Sequence, residues 1–240
     1  MKKWKTAIST RKNNELFIRG VRHLDLVERS DFIASLFLLW RGTLPSANEK
    51  TMFEAILVSA IEHGIDVPSS VASRIAVSTG NQMNSALASG ILALGRRHGG
   101  AIEGAALLLQ SGEAPDEIVR RIISSKEKIP GFGHRLYKEK DPRAEALFLR
   151  AQKIGFFGVF AKKAHDIKTA LERASAKILP INIDGAMAAL LLELGFDPRI
   201  LWGIFIFART AGLIAHAQEE LDETGVYRHL DEEDIEYTGK

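Results

Sequence analysis

Ile129-Pro130-Gly131-Phe132-Gly133-His134 is followed, after a basic stretch, by Asp141-Pro142-Arg143. Asp141 before Pro142 predicts the start of a helix, because aspartate caps helices and proline suits the first helical position. A simple turn into that helix does not need two glycines, a histidine and several cations. The backbone amides of this loop, together with Lys138, suit a phosphate-bearing group. An exposed basic loop is the simpler interpretation of the same residues.

Helical periodicity covers most of the chain on both sides of this loop. Ser46-Ala47-Asn48-Glu49 is a capping box, and Asp197-Pro198 repeats the signal of Asp141-Pro142. Strand signals are few: a small hairpin over Leu16–Val21 and a brief extended piece over Lys177–Ile181. The predicted helices are 46–60, one opening at Pro68, 82–94, 101–110, 115–124, 141–154, 186–194 and 199–220. The pattern therefore predicts an all-α fold.

Composition excludes several classes of protein. The 240 residues carry a net charge of +2 with both signs dispersed, which predicts no nucleic-acid partner. The chain has no cysteine, so it has no disulfide and no thiolate metal site. The basic start, Met1–Lys5, lacks the apolar segment of a secretory signal. Apolar stretches such as Leu201–Ala208 are too short to span a bilayer. We therefore expect a cytoplasmic protein with no membrane partner.

Two further segments place polar groups next to glycine or at a helix start. His98 lies in Arg96-Arg97-His98-Gly99-Gly100, where a glycine turn with a solvated histidine is the simpler interpretation. Asp184 lies in Pro180-Ile181-Asn182-Ile183-Asp184-Gly185. It either caps the following helix or acts as a carboxylate base in a partly apolar setting.

The glycine loop and the Asp-Pro-Arg segment together resemble the signature of the citrate synthase superfamily. The other segments follow in the family's order along nearly the whole chain. They are Ile18-Arg19-Gly20 through Asp25-Leu26 to Leu44-Pro45, Glu62-His63-Gly64, His98-Gly99-Gly100-Ala101 with Glu103, Asn182-Ile183-Asp184, and Phe207-Ala208-Arg209-Thr210.

Two departures from the family's full-length synthases concern length and the tail. Only the 17 residues Ser46–Glu62 separate segments that a long run of helices separates in the synthases. This short form resembles citryl-CoA lyases and the C-terminal module of ATP-citrate lyase, as does the tail Gly225-Val226-Tyr227-Arg228-His229. That module lacks a histidine at the position of His98, whereas synthases have one.

The resemblance implies an all-α, citrate synthase-like architecture with two domains. A large helical domain takes residues 1–102 and 193–240. A smaller inserted domain, residues 103–192, binds coenzyme A (CoA) and closes over the site as a lid. The resemblance also implies a homodimer or a higher homo-oligomer.

The resemblance implies a role for each motif residue. Asp184 is the base that removes a proton from the carbon next to the thioester. His98 donates a hydrogen bond to the thioester oxygen, and His134 exchanges a proton with the keto oxygen of oxaloacetate. The residues that bind substrate carboxylates are His63, Arg143, Arg209 and, from the partner subunit, Arg228. The residues that line the CoA site are Gly131, Phe132, Gly133, Lys138 and Asn182. No metal and no tightly bound cofactor are implied, and the CoA thioester is a substrate.

The activity that the resemblance implies is that of a citryl-CoA lyase, which cleaves citryl-CoA to acetyl-CoA and oxaloacetate by an acid/base enol mechanism. One alternative is a minimal citrate or 2-methylcitrate synthase, which condenses an acyl-CoA with oxaloacetate. A further alternative is a non-catalytic CoA-binding subunit of a larger complex.

Overall fold

The structure, a computed structural model, describes residues 3–125, 127–175, 178–223, 225 and 227–239. The described residues form three short strands followed by helices. The strands are β1 Ser9–Lys12, β2 Glu15–Ile18 and β3 Val21–Arg22. The helices are α1 His23–Arg29, α2 Phe32–Arg41, α3 Ala47–Ser59, α4 Pro68–Ser78, α5 Met83–Leu92, α6 Ala101–Gln110, α7 Pro115–Ser125, α8 Pro142–Lys153, α9 Val159–Ser175, α10 Ile183–Glu193 and α11 Leu201–Asp222. The all-α prediction is confirmed.

Capping residues start helices α3 and α8 where the sequence indicated. Ser46 Oγ accepts from the Glu49 N–H at 3.3 Å, and the Glu49 carboxylate accepts from the Ser46 N–H at 2.7 Å, which completes the capping box of α3. Asp141 caps α8 by accepting from the Arg143 N–H. Helix α10 begins at Ile183, three residues before the predicted start at residue 186.

The N-terminal segment forms an antiparallel sheet in the order β1-β2-β3, with Thr10 opposite Phe17 and Ile18 opposite Val21. The predicted hairpin over Leu16–Val21 is therefore part of a larger sheet. Asn13 and Asn14 both adopt positive φ between β1 and β2, a conformation that asparagine tolerates in hairpin turns. The predicted extended piece begins at Lys177, outside the described residues; its end, Ile181, forms a β-bridge with Phe132.

Contacts divide the chain into two compact units. The first unit comprises Met1–Ser59 and Ile102–Leu201, and the second comprises Ala60–Ala101 and Trp202–Lys240. The boundaries of these units differ from those of the predicted large and small domains. The predicted domains are defined by the closure of one over the other, so that division stays a prediction.

In the first unit, α10 is the central helix. It packs against α3, α8 and α9, and its residues 185–192 are all buried. An aromatic cluster lies beside it, in which the Phe53 ring stacks on Phe196 at 5.1 Å and meets Phe37 edge-on at 5.6 Å. A helix that is buried over residues 185–192 is typical of a protein core. Its packing fixes the position of its first turn, which carries Asp184.

In the second unit, α4 packs against α5, and Val77, Ala86 and Ala217 are buried together. The helical segment Pro198–Asp222 has a mean hydropathy of 1.6 over its most apolar window. This segment is long enough and apolar enough to cross a membrane. The expectation that every apolar stretch is too short to do so therefore underestimated the length of this helix. Arg209 and Glu220 of α11 are buried with ionic partners, an arrangement typical of a core helix.

Candidate active site

The glycine loop of the first unit is hydrogen-bonded to the segment that precedes α10. The Asn182 N–H donates to the Gly131 carbonyl at 3.0 Å, and the Gly133 N–H donates to the Pro180 carbonyl at 2.7 Å. Gly131 has φ +84°, and a Cβ there would lie 2.8 Å from the Gly185 Cα. Glycine at Gly131 is therefore required by the close approach of two backbones.

The first turn of α10 carries Asp184 and is capped by Asn182. The Asn182 Oδ1 accepts from the Gly185 N–H at 3.1 Å, and the Asn182 Nδ2 donates to the Gly133 carbonyl at 2.8 Å. The simpler interpretation, in which Asp184 caps this helix, is therefore wrong. Because Asn182 holds both the helix start and the loop, the loop and the Asp184 backbone form one connected structure.

The pKa of the Asp184 carboxyl is raised to about 6. Burial is the largest cause, because a carboxylate loses its hydration there, and the negative charge of Asp141 adds to it. The positive charge of Arg143 acts in the opposite direction. At neutral pH this carboxyl is close to its pKa, which suits a group that both accepts and delivers a proton.

Asp141 connects α8 to the start of α10. Its carboxylate is fully buried and accepts from Arg143 Nε at 3.0 Å and from Arg143 Nη2 at 2.9 Å. It also accepts from the Ile183 N–H at 3.1 Å. Burial acts to raise the pKa of Asp141, but the hydrogen bonds and the charge of Arg143 outweigh it and keep the pKa below its usual value. Arg143 is thus held in a fixed position beside the residue that precedes Asp184.

His134 lies between the glycine loop and Arg143. Its Nδ1 is 3.1 Å from each of the N–H groups of Leu136 and Tyr137, and its Nε2 is 3.3 Å from Arg143 Nη2. All these neighbours are donors. A neutral imidazole has one lone pair, so it accepts either from the two backbone N–H groups through Nδ1 or from Arg143 through Nε2, whereas the imidazolium accepts from neither. The contacts therefore favour the neutral ring.

The pKa of His134 is lowered, first by burial and then by the charges of Arg143 and Lys138, against the opposing charge of Asp141. The Tyr137 ring lies against the imidazole, with 4.6 Å between ring centroids, and the Arg143 guanidinium lies 5.8 Å from the same Tyr137 ring. A neutral histidine is therefore held between an aromatic ring and a cation.

Of the predicted CoA residues, Gly131, Gly133 and Asn182 contact one another through the hydrogen bonds given above. Phe132 is buried, and its β-bridge to Ile181 holds the same loop. Lys138 is exposed, and its Nζ donates to the Arg135 carbonyl at 2.8 Å. A fixed, exposed ammonium of this kind suits a phosphate ligand.

His98 belongs to the second unit, where Ser69 fixes its ring. The Ser69 hydroxyl, fully buried, lies 2.9 Å from His98 Nε2. Gly99 has φ +81°, and a Cβ there would lie 2.4 Å from the Phe205 ring, so glycine is needed at this turn. Burial first, and then the charge of Arg209, lower the pKa of His98. Near neutral pH His98 is therefore uncharged, and its ring is partly buried and held by Ser69 rather than surrounded by solvent.

Arg209 of the second unit is fully buried and bound by Glu62 and Ser70. Its Nη1 donates to the Glu62 carboxylate at 2.6 Å, and its Nη2 donates to the Ser70 hydroxyl at 2.6 Å. Burial acts to raise the pKa of Glu62, but the bonds from Arg209, His216 and Gly64 outweigh it and lower the pKa to about 2. The predicted substrate residue His63 lies beside Phe205, with stacked rings 5.6 Å apart.

Arg228, also in the second unit, is bound by two carboxylates of its own chain. Its guanidinium donates to the buried Glu220 at 2.7 and 3.0 Å and to Glu223 at 2.6 Å. Arg74 pairs with the same Glu220 carboxylate at 2.7 Å. Val226 of the predicted tail motif lies outside the described residues. The role of Arg228 on a partner subunit's substrate stays a prediction.

The structure thus groups the predicted residues within each unit. His134, Arg143 and Asp184 come together in the first unit, and His98 and Arg209 come together in the second. Asp141, Glu62 and Ser69 were not predicted from the sequence to be members of these groups. Glu62 directly precedes His63, which was a usable signal, and Asp141 was interpreted only as a helix cap. In the described ranges, no group of three or more His, Cys, Asp or Glu side chains is placed to hold a metal ion.

The family model for the C-terminal domain of citrate synthase matches residues 47–229. The chain belongs to the citrate synthase family. Its structure matches the citryl-CoA lyase of Hydrogenobacter thermophilus with a TM-score of 0.95 and 43% identity, covering 100% of this chain and 96% of that one. The fold also matches ATP citrate lyase of Methanothrix soehngenii, with a TM-score of 0.90 at 24% identity, covering 100% of this chain and 42% of that one.

Citrate synthase 2 of Bacillus subtilis is 33% identical over 232 residues, which are 93% of this chain and 61% of the relative. The chain therefore spans about three fifths of the length of that synthase. The predicted resemblance to the shorter lyases is consistent with these coverages, since the match takes in 96% of the lyase and 61% of the synthase.

Proposed function

We propose that the chain is an enzyme that cleaves citryl-CoA to acetyl-CoA and oxaloacetate. The near end-to-end correspondence with the Hydrogenobacter thermophilus citryl-CoA lyase, at 43% identity, carries this proposal. The CoA thioester is a substrate in this reaction, and the chain's own side chains supply the acid/base chemistry. The geometry within each unit supports the proposed roles of His134, Asp184 and His98 in the acid/base chemistry.

In cleavage, a base removes the hydroxyl proton of citryl-CoA, the carbon–carbon bond breaks, and an acid protonates the enol carbon. His134 is the proposed base, because a neutral imidazole can accept a proton and the contacts of His134 favour that form. Nε2 is the assigned nitrogen, so the reacting neutral ring carries its lone pair on Nε2 and its proton on Nδ1, the tautomer in which Nδ1 no longer accepts from the Leu136 and Tyr137 N–H groups. Asp184 is the proposed acid. Its pKa of about 6 leaves a useful fraction of the carboxyl protonated near neutral pH.

The enol oxygen needs a hydrogen-bond donor as negative charge develops on it. We assign this role to His98, whose ring is neutral and fixed by Ser69. A neutral imidazole with a set orientation donates without the cost of reorganising solvent. The proposed groups for the substrate carboxylates are Arg143, Arg209, Arg228 and His63. The three arginines suit this role because a guanidinium matches a carboxylate with two parallel hydrogen bonds. Gly131, Phe132, Gly133, Lys138 and Asn182 are the proposed CoA contacts.

The experiment is to incubate the purified protein with citryl-CoA and to measure acetyl-CoA, oxaloacetate, free CoA and citrate separately. Acetyl-CoA and oxaloacetate formed in equal amounts support the lyase. Asp184→Asn, which removes the proposed acid, is the paired variant and should abolish product formation. Asp166→Asn, at an exposed carboxyl of α9, is the matched control and should leave it unchanged. No product from the wild-type protein would refute the proposal.

A minimal citrate or 2-methylcitrate synthase is the second candidate, favoured by the 33% identity to the Bacillus subtilis citrate synthase 2. It uses the same residues in the reverse direction and adds hydrolysis of citryl-CoA. Free CoA and citrate from citryl-CoA, together with condensation of acetyl-CoA with oxaloacetate, would identify it. A non-catalytic subunit would give neither result and would be indifferent to Asp184→Asn. The homo-oligomer and the cytoplasmic location stay predictions.

A further inference from the structure

The tripeptide Asp-Pro-Arg occurs twice in the first unit, at residues 141–143 and 197–199. In both places the aspartate accepts from the backbone N–H and the guanidinium of the arginine two residues later. Both also cap the first turn of a helical segment through this backbone contact. The repeat provides an internal comparison, because one local structure stands in two different surroundings.

The two copies differ in burial and in their further partners. At the second copy, the side chains of Asp197 and Arg199 are 41% and 85% exposed. The Asp141 side chain is fully buried, and it accepts an additional bond from the Ile183 N–H at the start of α10. Capping a helix does not require either feature. Burying a carboxylate is costly unless several donors compensate, so the burial of Asp141 calls for a role beyond the cap.

We propose that Asp141 is a positioning residue, which holds the Arg143 guanidinium against His134 and fixes the start of the helix that carries Asp184. This inference rests on the proposed function, because His134 and Asp184 are the proposed base and acid. The Asp141 carboxylate acts on His134 through Arg143, whose Nη2 lies 3.3 Å from His134 Nε2. It acts on Asp184 through the backbone N–H of Ile183, the residue that directly precedes Asp184.

The charge of Asp141 also acts on both groups. The charged neighbours that affect the pKa of Asp184 are Arg143, which lowers it, and Asp141, which raises it. The pKa of His134 is raised by Asp141 and lowered by Arg143 and Lys138. Removal of the Asp141 charge therefore shifts both values in the same direction, toward lower pH.

The test is Asp141→Asn, with Asp197→Asn as the matched control. We expect Asp141→Asn to lower kcat/KM for citryl-CoA cleavage by about 10- to 100-fold, the effect of losing charge-assisted hydrogen bonds. Both limbs of the pH profile should move to lower pH. Asp197→Asn should change neither quantity. A residue with only a structural role would reduce the amount of folded enzyme without moving the profile, and that result would overturn the inference.

Asp141→Ser is the second variant, because serine retains a capping oxygen for α8 and removes the charge. It should shift the pH profile in the same way if Asp141→Asn fails to fold. Titration of the His134 ring by NMR supplies a readout that needs no activity, and its pKa should fall in both variants. If the wild-type protein forms no product, the proposed function fails. If the titration of His134 is unchanged in the variants, the positioning role of Asp141 fails instead.

Discussion

Asp184→Asn should raise the stability of the folded protein while it abolishes turnover. Burial raises the pKa of Asp184 from 3.8 to about 6, so the folded state disfavours the carboxylate. The unfolded chain ionises near 3.8, and the folded protein retains the proton until about pH 6. Stability therefore falls across that interval by about 1.4 kcal/mol per pH unit, which amounts to about 3 kcal/mol. Above pH 6 the cost is constant, and asparagine does not incur it.

The assay is urea unfolding of both proteins at several values between pH 4 and pH 8. The contributions of the other titrating groups cancel in the difference between the two proteins. We expect no difference near pH 4 and a variant more stable by about 3 kcal/mol at pH 7 to 8. Citryl-CoA cleavage, measured on the same samples, should be lost in Asp184→Asn, because the acid that protonates the enol carbon is missing. Asp166→Asn should follow the wild-type curve, because this carboxyl is exposed on α9.

Two results would refute this reasoning. A variant that is less stable than the wild type at pH 8 would mean that the Asp184 carboxylate is stabilised by its surroundings. A difference that does not vary with pH would mean that burial leaves the pKa of Asp184 at its ordinary value.

Two further predictions concern other parts of the protein. Gly131→Ala should destabilise the fold by about 1–3 kcal/mol, because the added Cβ would meet the Gly185 backbone. Urea unfolding measures this loss. The control Gly112→Ala should lower the stability less, because the space around Gly112 is open. The lowered pKa of Glu62 contributes stability that is present above about pH 4.5 and is lost as pH falls toward 2. Wild-type protein should therefore lose more stability on acidification than Glu62→Gln, and equal losses in denaturant titrations would contradict this.

The helices that begin with a strong local signal were predictable from sequence. The capping box at Ser46 and the Asp141-Pro142 pair act within one helical turn, so neighbouring residues suffice to identify them. Helices α1, α2 and α9 were not predicted individually. Their ends rest in part on distant contacts: Glu193, for example, accepts hydrogen bonds from the first turn of α9, from the N–H groups of Phe160 and Ala161.

The site shows the same division between local and distant information. Motifs and resemblance predicted His98, His134 and Asp184 as candidates. The buried Asp141 carboxylate was not recognised as their neighbour, because the Ile183 N–H that it binds lies 42 residues further along the chain. The contact between Glu62 and Arg209 spans 147 residues. A pattern within one sequence does not encode pairings of this kind.

Both compact units are discontinuous in the chain, which affects the order of folding during synthesis. The two segments of the first unit are complete once Leu201 has left the ribosome, whereas residues 60–101 need partners from Trp202 onward. Until Arg209 has been synthesised, Glu62 and Ser70 lack the guanidinium that binds them in the folded protein. The second unit therefore depends on late, long-range closure, the slow class of folding step. Aggregation of unfinished chains is expected to begin from this segment.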